Sequence, residues 1–385
     1  MRIGMIAPLE IRVPPTAYGG TELIVSLLTE ELVKRGHDVT LFASGDSLTT
    51  AKLVPGSATF LRGSGRNSSI LTMLSVLSCL ERAHEFEVIH NHTGFEGLAT
   101  ANLVNTPVLT TLHGGLDGDW LLLFERYNGW YNTISHSARA LLPETDNFAG
   151  VIYNAIDHET YPFNPGRRED YLLFLSRISP EKGTHLAIEV ARRLGRRLII
   201  AGNVDSVDEH YFKTQVEPEV DGRLIQYVGE ADYDTKRRLF ANASCLLAPL
   251  TWDEPFGLFM AEAMACGTPV IAIRRGSAPE LVLHGETGFV VDDLDGMVEA
   301  VGRLHEISPY TCHERVAENF SVGRMTDDYL SLYQRIAGTN RASQRSFDQP
   351  LLPFLRPIRP VLLDNPFDGT AGTDTHGETV ARQRS

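Results

Sequence analysis

The sequence has little cysteine and no long apolar run. Its 385 residues include only four scattered cysteines, which form no Cys-x-x-Cys pair: Cys79, Cys245, Cys266 and Cys312. This pattern excludes a disulfide framework and a cysteine-based zinc site, and it is typical of a reducing compartment. We therefore predict that the cysteines are small buried hydrophobes. Because no apolar run approaches the roughly 18 residues of a membrane span and the N-terminus does not resemble a signal peptide, we expect a cytoplasmic protein with no transmembrane segment.

Positive charge is also scarce. The chain has 35 Lys and Arg against 49 Asp and Glu, which gives a formal net charge of −14. A general nucleic-acid binder needs a basic face for the phosphates, so we expect no nucleic-acid partner. The same deficit argues against docking on anionic lipid through a polybasic surface.

What is present is an ordinary globular composition, with 43% hydrophobic and 22% charged residues. Short apolar runs alternate with amphipathic segments as far as residue 337, which is typical of parallel α/β sheets. One such segment is Thr21–Arg35, a predicted helix whose apolar face is Leu23, Leu27, Leu28, Leu32 and Val33. The predicted strands are Arg2–Ala7, Asp38–Ala43, Glu87–His90, Val108–Leu112, Tyr131–Ile134 and Val151–Tyr153, followed by Tyr171–Leu175, Arg197–Ala201, Leu224–Val228, Ser244–Ala248, Pro269–Ile273 and Thr287–Val291.

The two series of strands indicate two doubly wound, Rossmann-like α/β domains that face a cleft. The stretch Pro162–Gly166 is linker-like, so we place the domains at residues 1–163 and 164–320. Ser321–Ile336 reads as a closing amphipathic helix within 321–337. Five prolines between 350 and 366 forbid a helix there, so we expect 338–385 to be an extended or disordered tail.

A glycine pair opens the first long helix, in Gly19-Gly20-Thr21-Glu22. Two glycines at a helix start let backbone N–H groups approach an anion, and the helix dipole favours negative charge there. Taken alone, such a pair more often caps a helix without any ligand. It is not the Gly-x-Gly-x-x-Gly fingerprint of dinucleotide binding, which argues against a nicotinamide dehydrogenase.

His113 ends a predicted buried strand and precedes another glycine pair. Ligands of open α/β sheets bind beyond the carboxyl ends of the strands, so His113 is a contact candidate, although a structural role is equally open. His90 and His92 end a neighbouring strand, but no third ligand lies at a sensible spacing, so we predict no metal site.

Two cations mark the first strand-to-helix turn of the second series, in Ser176-Arg177-Ile178-Ser179-Pro180-Glu181-Lys182-Gly183. Arg177 and Lys182 can hold a diphosphate, the first through its planar fork and the second as a point charge. The alternative interpretation is a solvated charged loop.

Two glutamates, Glu254 and Glu262, form the sharpest motif. If the segment between them is mostly helical, the carboxylates lie about 12 Å apart, beyond the roughly 5 to 9.5 Å of a glycosidase pair. That separation suits two ends of one elongated ligand. Glu262 stands in a nearly apolar helix, so a ligand hydroxyl or a cation must satisfy its charge.

Taken together, these motifs make the chain from residue 2 to residue 337 resemble the retaining glycosyltransferase family 4, which has the GT-B fold. The most specific element is Glu254 and Glu262 within Glu-Pro-Phe-Gly-Leu…Glu-Ala-Met-Ala-Cys-Gly-Thr-Pro-Val. The supporting elements are Gly19-Gly20-Thr21-Glu22, His113, Asn154-Ala155-Ile156-Asp157, Ser176-Arg177, Lys182-Gly183, Ala201-Gly202 and Gly288-Phe289.

The resemblance implies a nucleotide-diphosphate sugar donor, with a UDP-linked hexose as the first expectation, and no cofactor or metal. It implies that the second domain binds the donor and the first faces the acceptor. It further implies that Arg177 and Lys182 hold the diphosphate and that Glu262 accepts from the ribose hydroxyls. The implied sugar contacts are Glu254, the backbone around Phe256, Gly257 and Leu258, and His113, with Gly19 and Gly20 closing on the phosphates.

The favoured hypothesis is therefore an enzyme that moves a hexose from a nucleotide sugar to an acceptor hydroxyl with retention at the anomeric carbon. The chain does not identify the acceptor or the oligomeric state. A non-catalytic protein that keeps the fold and binds a nucleotide sugar is the alternative, because a fold alone does not prove activity.

Overall fold

Two parallel sheets organise the computed structural model, which describes residues 1–114, 119–124, 129–166 and 168–342. The first sheet has seven strands in the order β3-β2-β1-β4-β5-β6-β7, and the second has six in the order β10-β9-β8-β11-β12-β13. The strands are β1 Arg2–Ile6, β2 Asp38–Ser44, β3 Lys52–Ser57, β4 Val88–Asn91, β5 Val108–Leu112, β6 Trp130–Thr133, β7 Phe148–Val151, β8 Leu172–Leu175, β9 Leu198–Ala201, β10 Ile225–Tyr227, β11 Cys245–Ala248, β12 Val270–Ile273 and β13 Gly288–Val291.

Helices cross between the strands, as the parallel pairing requires. They are α1 Gly20–Lys34, α2 Ser68–Glu81, α3 Phe95–Thr100, α4 Asp119–Phe124, α5 His136–Ala140, α6 Thr184–Leu194, α7 Glu209–Tyr211, α8 Tyr233–Asn242, α9 Leu258–Ala265, α10 Ala278–Leu281, α11 Leu294–Gly302, α12 Pro309–Asn319 and α13 Val322–Ala342. The predicted two-domain, Rossmann-like α/β architecture is confirmed.

One strand prediction was wrong and one strand was missed. The strand β7 is Phe148–Val151 and not Val151–Tyr153, because Tyr131 pairs with Phe148 and Thr133 with Val151. The strand β3 was missed altogether. It lies at the sheet edge and pairs in parallel with β2, and an edge position tolerates the proline and glycine that hid it in the sequence.

The predicted apolar face of α1 was partly wrong. Leu28 and Leu32 are fully buried, but so are Ile24 and Val25, which the prediction left out. Leu23, Leu27 and Val33 are only half-buried. The buried stripe is rotated toward Ile24 and Val25 because α1 packs against both the first sheet and α13.

The helix α13 contributes to the core of the first domain. Tyr329, Tyr333 and Ile336 are buried among residues of β1, β2 and α1. The helix runs to Ala342 and so passes residue 338, where we predicted that the tail begins. Gly338 therefore lies within the helix, at a cost of only about 1 kcal/mol relative to alanine. The proline-containing part of the predicted tail lies outside the described residues.

Glu280 links the two domains. Its carboxylate accepts hydrogen bonds from the backbone N–H of His136 at 2.9 Å and of Ser137 at 2.7 Å, at the start of α5. The same carboxylate accepts from the hydroxyl of Tyr153 at 2.9 Å. A residue of the second domain thus caps a helix of the first, which fixes the two sides of the cleft relative to each other.

The four cysteines are free and buried, as predicted. Burial raises the pKa of Cys245 to about 12 and that of Cys266 and Cys312 likewise to about 12, so these thiols remain protonated. Within the described ranges, no helix is both long and apolar enough to pass through a membrane.

Candidate functional site

A cavity of about 490 Å³ lies between the two sheets, beyond the carboxyl ends of β5, β8 and β11. This is the position at which open α/β sheets bind ligands. Every residue predicted for the site lines this one cavity: Gly19, Gly20, His113, Arg177, Lys182, Glu254, Phe256, Gly257, Leu258 and Glu262. The tertiary structure thus brings together motifs that are separated by up to two thirds of the chain.

A tight backbone turn positions Lys182. Residues Pro180–Lys182 form a single 3₁₀ turn after β8, and Gly183 follows with φ of +73°. A side chain at Gly183 would overlap the carbonyl oxygen of Pro249. Glycine is therefore required here both by the left-handed backbone and by the close approach. Gly183 immediately precedes α6.

Lys182 and Glu254 form a buried ion pair. The ammonium contacts the Oε2 of Glu254, and only 8% of Lys182 and 7% of Glu254 are exposed. The indole Nε1 of Trp252 donates to the same oxygen at 3.2 Å, and the ammonium lies 4.8 Å from the centre of the Trp252 ring. A charge removed from water in this way needs its partner, so each residue fixes the other in the cavity.

Carboxylates surround Arg177. Its Nη2 donates to Glu181 at 2.6 Å, while Nη1 lies 3.7 Å from Asp205 and 3.8 Å from Asp208. Glu181 is nearly half exposed, so water weakens that pair. The guanidinium therefore has a partner that an incoming anion can replace.

Glu262 has two partners that the sequence analysis missed. Its Oε1 accepts from the hydroxyl of Tyr161 at 2.7 Å and from the ammonium of Lys236 at 2.6 Å. Burial, followed by the nearby Glu262 charge, raises the pKa of Tyr161, so that hydroxyl stays a donor. We left open whether a ligand hydroxyl or a cation satisfies Glu262, and the structure supplies a cation. Tyr161 and Lys236 carry no motif, so only the fold could reveal them.

The start of α9 contacts both sides of the cavity. Gly257 precedes the helix with φ of +82°, which favours glycine. Phe256 is buried against Tyr153 and Phe320 at ring-centre distances of 6.2 and 5.6 Å, so its side chain is structural. The Cδ1 of Leu258 lies 3.4 Å from the position of a Cβ on Gly20, which places the two helix starts face to face.

The glycine pair at the start of α1 is closely packed. A Cβ on Gly19 would lie 2.8 Å from the Cβ of Pro15, whereas Gly20 has room for one. Glu22 in the first turn is only 5% exposed. Burial raises the pKa of the Glu22 carboxyl from its ordinary value of 4.5 to about 7. The first side of the cavity therefore contains a carboxyl that resists ionisation.

His113 belongs to a chain of hydrogen-bonded rings. Its Nε2 lies 2.7 Å from the Nδ1 of His92, and the Nε2 of His92 lies 3.2 Å from the Nδ1 of His90. Burial lowers the pKa of His113 to about 4 and lowers the pKa of the other two rings well below their ordinary value. We considered His90 and His92 only as metal ligands, and the search for a third ligand missed this chain. In the part of the chain that the structure describes, no group of three or more His, Cys, Asp or Glu side chains could hold a metal ion.

Two family models match the chain. The model described as "Glycosyltransferase Family 4" matches residues 18–160, and the model described as "Glycosyl transferases group 1" matches residues 157–313. The two matches overlap at residues 157–160 and together contain every predicted site residue.

A curated relative is similar in sequence along most of the chain, and solved structures have a similar fold. The alpha-maltose-1-phosphate synthase of Mycolicibacterium smegmatis is 27% identical over 88% of this chain and 100% of its own. A sucrose-phosphate synthase structure from Thermosynechococcus elongatus has a TM-score of 0.74 at 19% identity, covering 88% of this chain and 99% of its own. Anabaena HepE in complex with UDP-glucose has a TM-score of 0.64 at 20% identity, covering 89% and 100%.

Proposed function

Because the chain belongs to glycosyltransferase family 4 and has the GT-B fold, we propose that it transfers a hexose from a nucleotide-diphosphate sugar to an acceptor hydroxyl, with retention at the anomeric carbon. The observation that carries the proposal is the convergence of Arg177, Lys182 and Glu262 in one cavity. Two cations suit a diphosphate, and a carboxylate suits the vicinal hydroxyls of a ribose. We propose a UDP-linked hexose as the donor, and the structure of Anabaena HepE with UDP-glucose supports that choice.

The cations carry out the chemistry by stabilising the leaving group. As the bond between the anomeric carbon and the diphosphate oxygen breaks, its electron pair moves to that oxygen. Arg177 and Lys182 oppose the charge that develops there, and this interaction is stronger in the transition state than in the bound donor. The acceptor hydroxyl adds to the same face of the sugar, and its proton passes to the departing phosphate oxygen.

Glu254 is better suited to position the sugar than to attack it. Its Oε2 is occupied by Lys182 and Trp252, and those donors reduce its nucleophilicity. An ion pair at this point also keeps Lys182 beside the diphosphate. Retention in our proposal therefore follows from attack on the face that the diphosphate leaves, without a covalent enzyme intermediate.

The test is an NMR assay with UDP-glucose labelled with 13C at the anomeric carbon, incubated with simple sugars as acceptors. We expect release of UDP and a product with the α configuration of the donor. A β product would contradict only the proposed retention of configuration, and not the transfer itself. Absence of any transfer or hydrolysis across UDP, GDP and ADP sugars, in a protein that binds them, would favour the non-catalytic alternative.

Glu262→Ala tests the nucleotide half of the site. Losing a charge-assisted hydrogen bond of about 1.5–3 kcal/mol should weaken UDP binding at least tenfold in calorimetry. Glu96→Ala is the matched control, because Glu96 is also buried but lies outside the cavity. Equal UDP affinity in the two folded variants would remove Glu262 from the site.

A further inference from the structure

The hydrogen-bond chain that begins at His113 crosses the first sheet and ends on α13. Beyond His92 and His90 it reaches the hydroxyl of Tyr333, which lies 2.6 Å from the Nδ1 of His90. The Nε2 of His90 lies 2.7 Å from the Oγ1 of Thr111, which is also 3.0 Å from the hydroxyl of Tyr329. A continuous series of hydrogen-bonded buried polar groups thus connects α13 to His113.

Asn132 sets the direction of these hydrogen bonds. Its Nδ2 lies 3.4 Å from the backbone carbonyl of Thr133, which can only accept. The Oδ1 of Asn132 therefore accepts the single hydroxyl hydrogen of Thr111, at 2.7 Å. Tyr329 accepts from the Nδ2 of Asn132 at 3.3 Å and donates to Thr111. With its own hydrogen used, the Thr111 oxygen can only accept from His90, through the Nε2–H of that ring.

The same logic fixes each ring in turn. A neutral His90 with a hydrogen on Nε2 has one lone pair on Nδ1, which accepts from the hydroxyl of Tyr333 at 2.6 Å. The Nε2 of His92 lies 3.2 Å from the same nitrogen. It carries a hydrogen, because a second lone pair at that distance would be repelled. A neutral His92 then accepts at Nδ1, and the donor is the Nε2–H of His113. A neutral imidazole carries one hydrogen, so the Nδ1 of His113 has none. Burial keeps all three rings neutral, as the lowered pKa values of His90, His92 and His113 indicate.

We propose that Tyr329, Tyr333, His90 and His92 are positioning residues that fix the tautomer of His113, so that its Nδ1 can only accept a hydrogen bond from the ligand. In the described part of the chain, that nitrogen makes no hydrogen bond, while His113 lines the cavity. A sugar hydroxyl satisfies such an acceptor. A sugar carboxylate at the same point does not, because it has no hydrogen to donate and meets a lone pair. This inference rests on the proposed function, since it takes a sugar as the ligand.

The first test needs no substrate. In 15N-resolved NMR of the histidine rings in the intact protein, we expect His113, His92 and His90 each to show a protected hydrogen on Nε2. Exposed imidazoles exchange this hydrogen too fast for observation, so a visible signal indicates that the hydrogen is held in the hydrogen-bond chain. A hydrogen on the Nδ1 of His113 would overturn the proposal, whatever the enzyme does with a donor.

The second test interrupts the hydrogen bond between His92 and His113. His92→Phe removes the acceptor, so the His113 signal should vanish and turnover should fall on the order of tenfold, the loss of one hydrogen bond. His92→Asn keeps an accepting oxygen near the position of Nδ1 and should restore both readouts in large part. Tyr131→Phe is the control, because the Tyr131 hydroxyl lies 2.6 Å from the Oγ1 of Thr145 and does not belong to the hydrogen-bond chain of His113.

The two readouts separate this proposal from the proposed function. If the signals appear and respond to His92→Phe but no transfer occurs with any donor, the proposed function fails and the fixed tautomer stands. If transfer occurs and His92→Phe leaves turnover unchanged, the positioning role is wrong. Equal loss of turnover in His92→Asn and His92→Phe would also contradict it, because packing and not hydrogen bonding would then explain the effect.

Discussion

The two sides of the cavity differ in the charge state of their buried ionisable groups. The second-domain side carries Arg177, Lys182, Glu254 and Glu262, and each has an oppositely charged partner within the fold. On the first-domain side, burial lowers the pKa of His113 to about 4 and raises that of Glu22 to about 7, so these two groups favour their neutral forms. Glu10 and Arg62 also line this side. The charges of the second-domain side are thus paired within the fold, whereas His113 and Glu22 resist carrying one.

The ion pairs explain how the charged groups of the second-domain side stay buried. A buried cation without a partner costs several kcal/mol, and Glu254 compensates that cost for Lys182. In the proposed function, an incoming diphosphate would meet a lysine whose burial Glu254 already compensates.

The turn that holds Lys182 should be the most sensitive point of the charged side. In Gly183→Ala, the new Cβ would overlap the carbonyl oxygen of Pro249 on a backbone with φ of +73°. We expect the free energy of unfolding to fall by at least about 4 kcal/mol, as measured by urea denaturation. Gly195→Ala is the matched control, because Gly195 has φ of +61° but open space around it. Similar losses in both variants would show that the backbone conformation alone, and not the close approach to Pro249, requires glycine.

Lys182→Met should leave the Glu254 carboxylate buried without its cation. We expect a loss of about 3 to 4 kcal/mol in stability, as for other broken buried pairs, together with loss of transfer activity. Adding Glu254→Gln to this variant should recover most of the stability in thermal unfolding but none of the activity. Failure of the double variant to recover stability would mean that packing against Trp252 and not charge dominates the pair.

Glu22→Gln tests the neutral side through pH. Below pH 4.5 the carboxyl is protonated in both states, and above it the unfolded chain releases a proton that the folded protein retains up to about pH 7. Native Glu22 therefore costs stability progressively between those values, by about 3 kcal/mol at about 1.4 kcal/mol per pKa unit. The variant should match the native protein at the acid end and exceed its melting temperature at neutral pH. A constant difference across the range would contradict the raised pKa.

Gly20→Ala should have the smallest effect on the fold. The new Cβ would make an ordinary contact with Leu258 at 3.4 Å, and alanine favours a helix over glycine, so we expect a change in stability of no more than about 1 kcal/mol. If the backbone of α1 must approach the diphosphate, the same methyl group should nonetheless reduce donor turnover. Unchanged turnover would assign the glycine pair to helix capping alone.

Much of the fold could be predicted from the sequence because the strands at the centre of each sheet are short and mostly apolar. Val108–Leu112 was predicted to the residue, and β1, β8 and β9 were predicted to within one residue at either end. The edge strand β3 could not be found in this way, because a strand with one neighbour needs no unbroken apolar run. The position of β7 was missed because its register depends on the partner β6.

Ten of the residues that line the cavity could be predicted from the sequence, since their glycine, histidine, arginine, lysine and glutamate motifs follow strands in an order that resembles the family. The hydrogen-bond partners of those residues became visible only in the folded structure. Tyr161 and Lys236 reach Glu262 across intervals of 101 and 26 residues, and Tyr333 reaches His90 across 243. Such partners have no local pattern, because the free energy that selects them comes from satisfying buried polar groups, and burial exists only after the chain has folded.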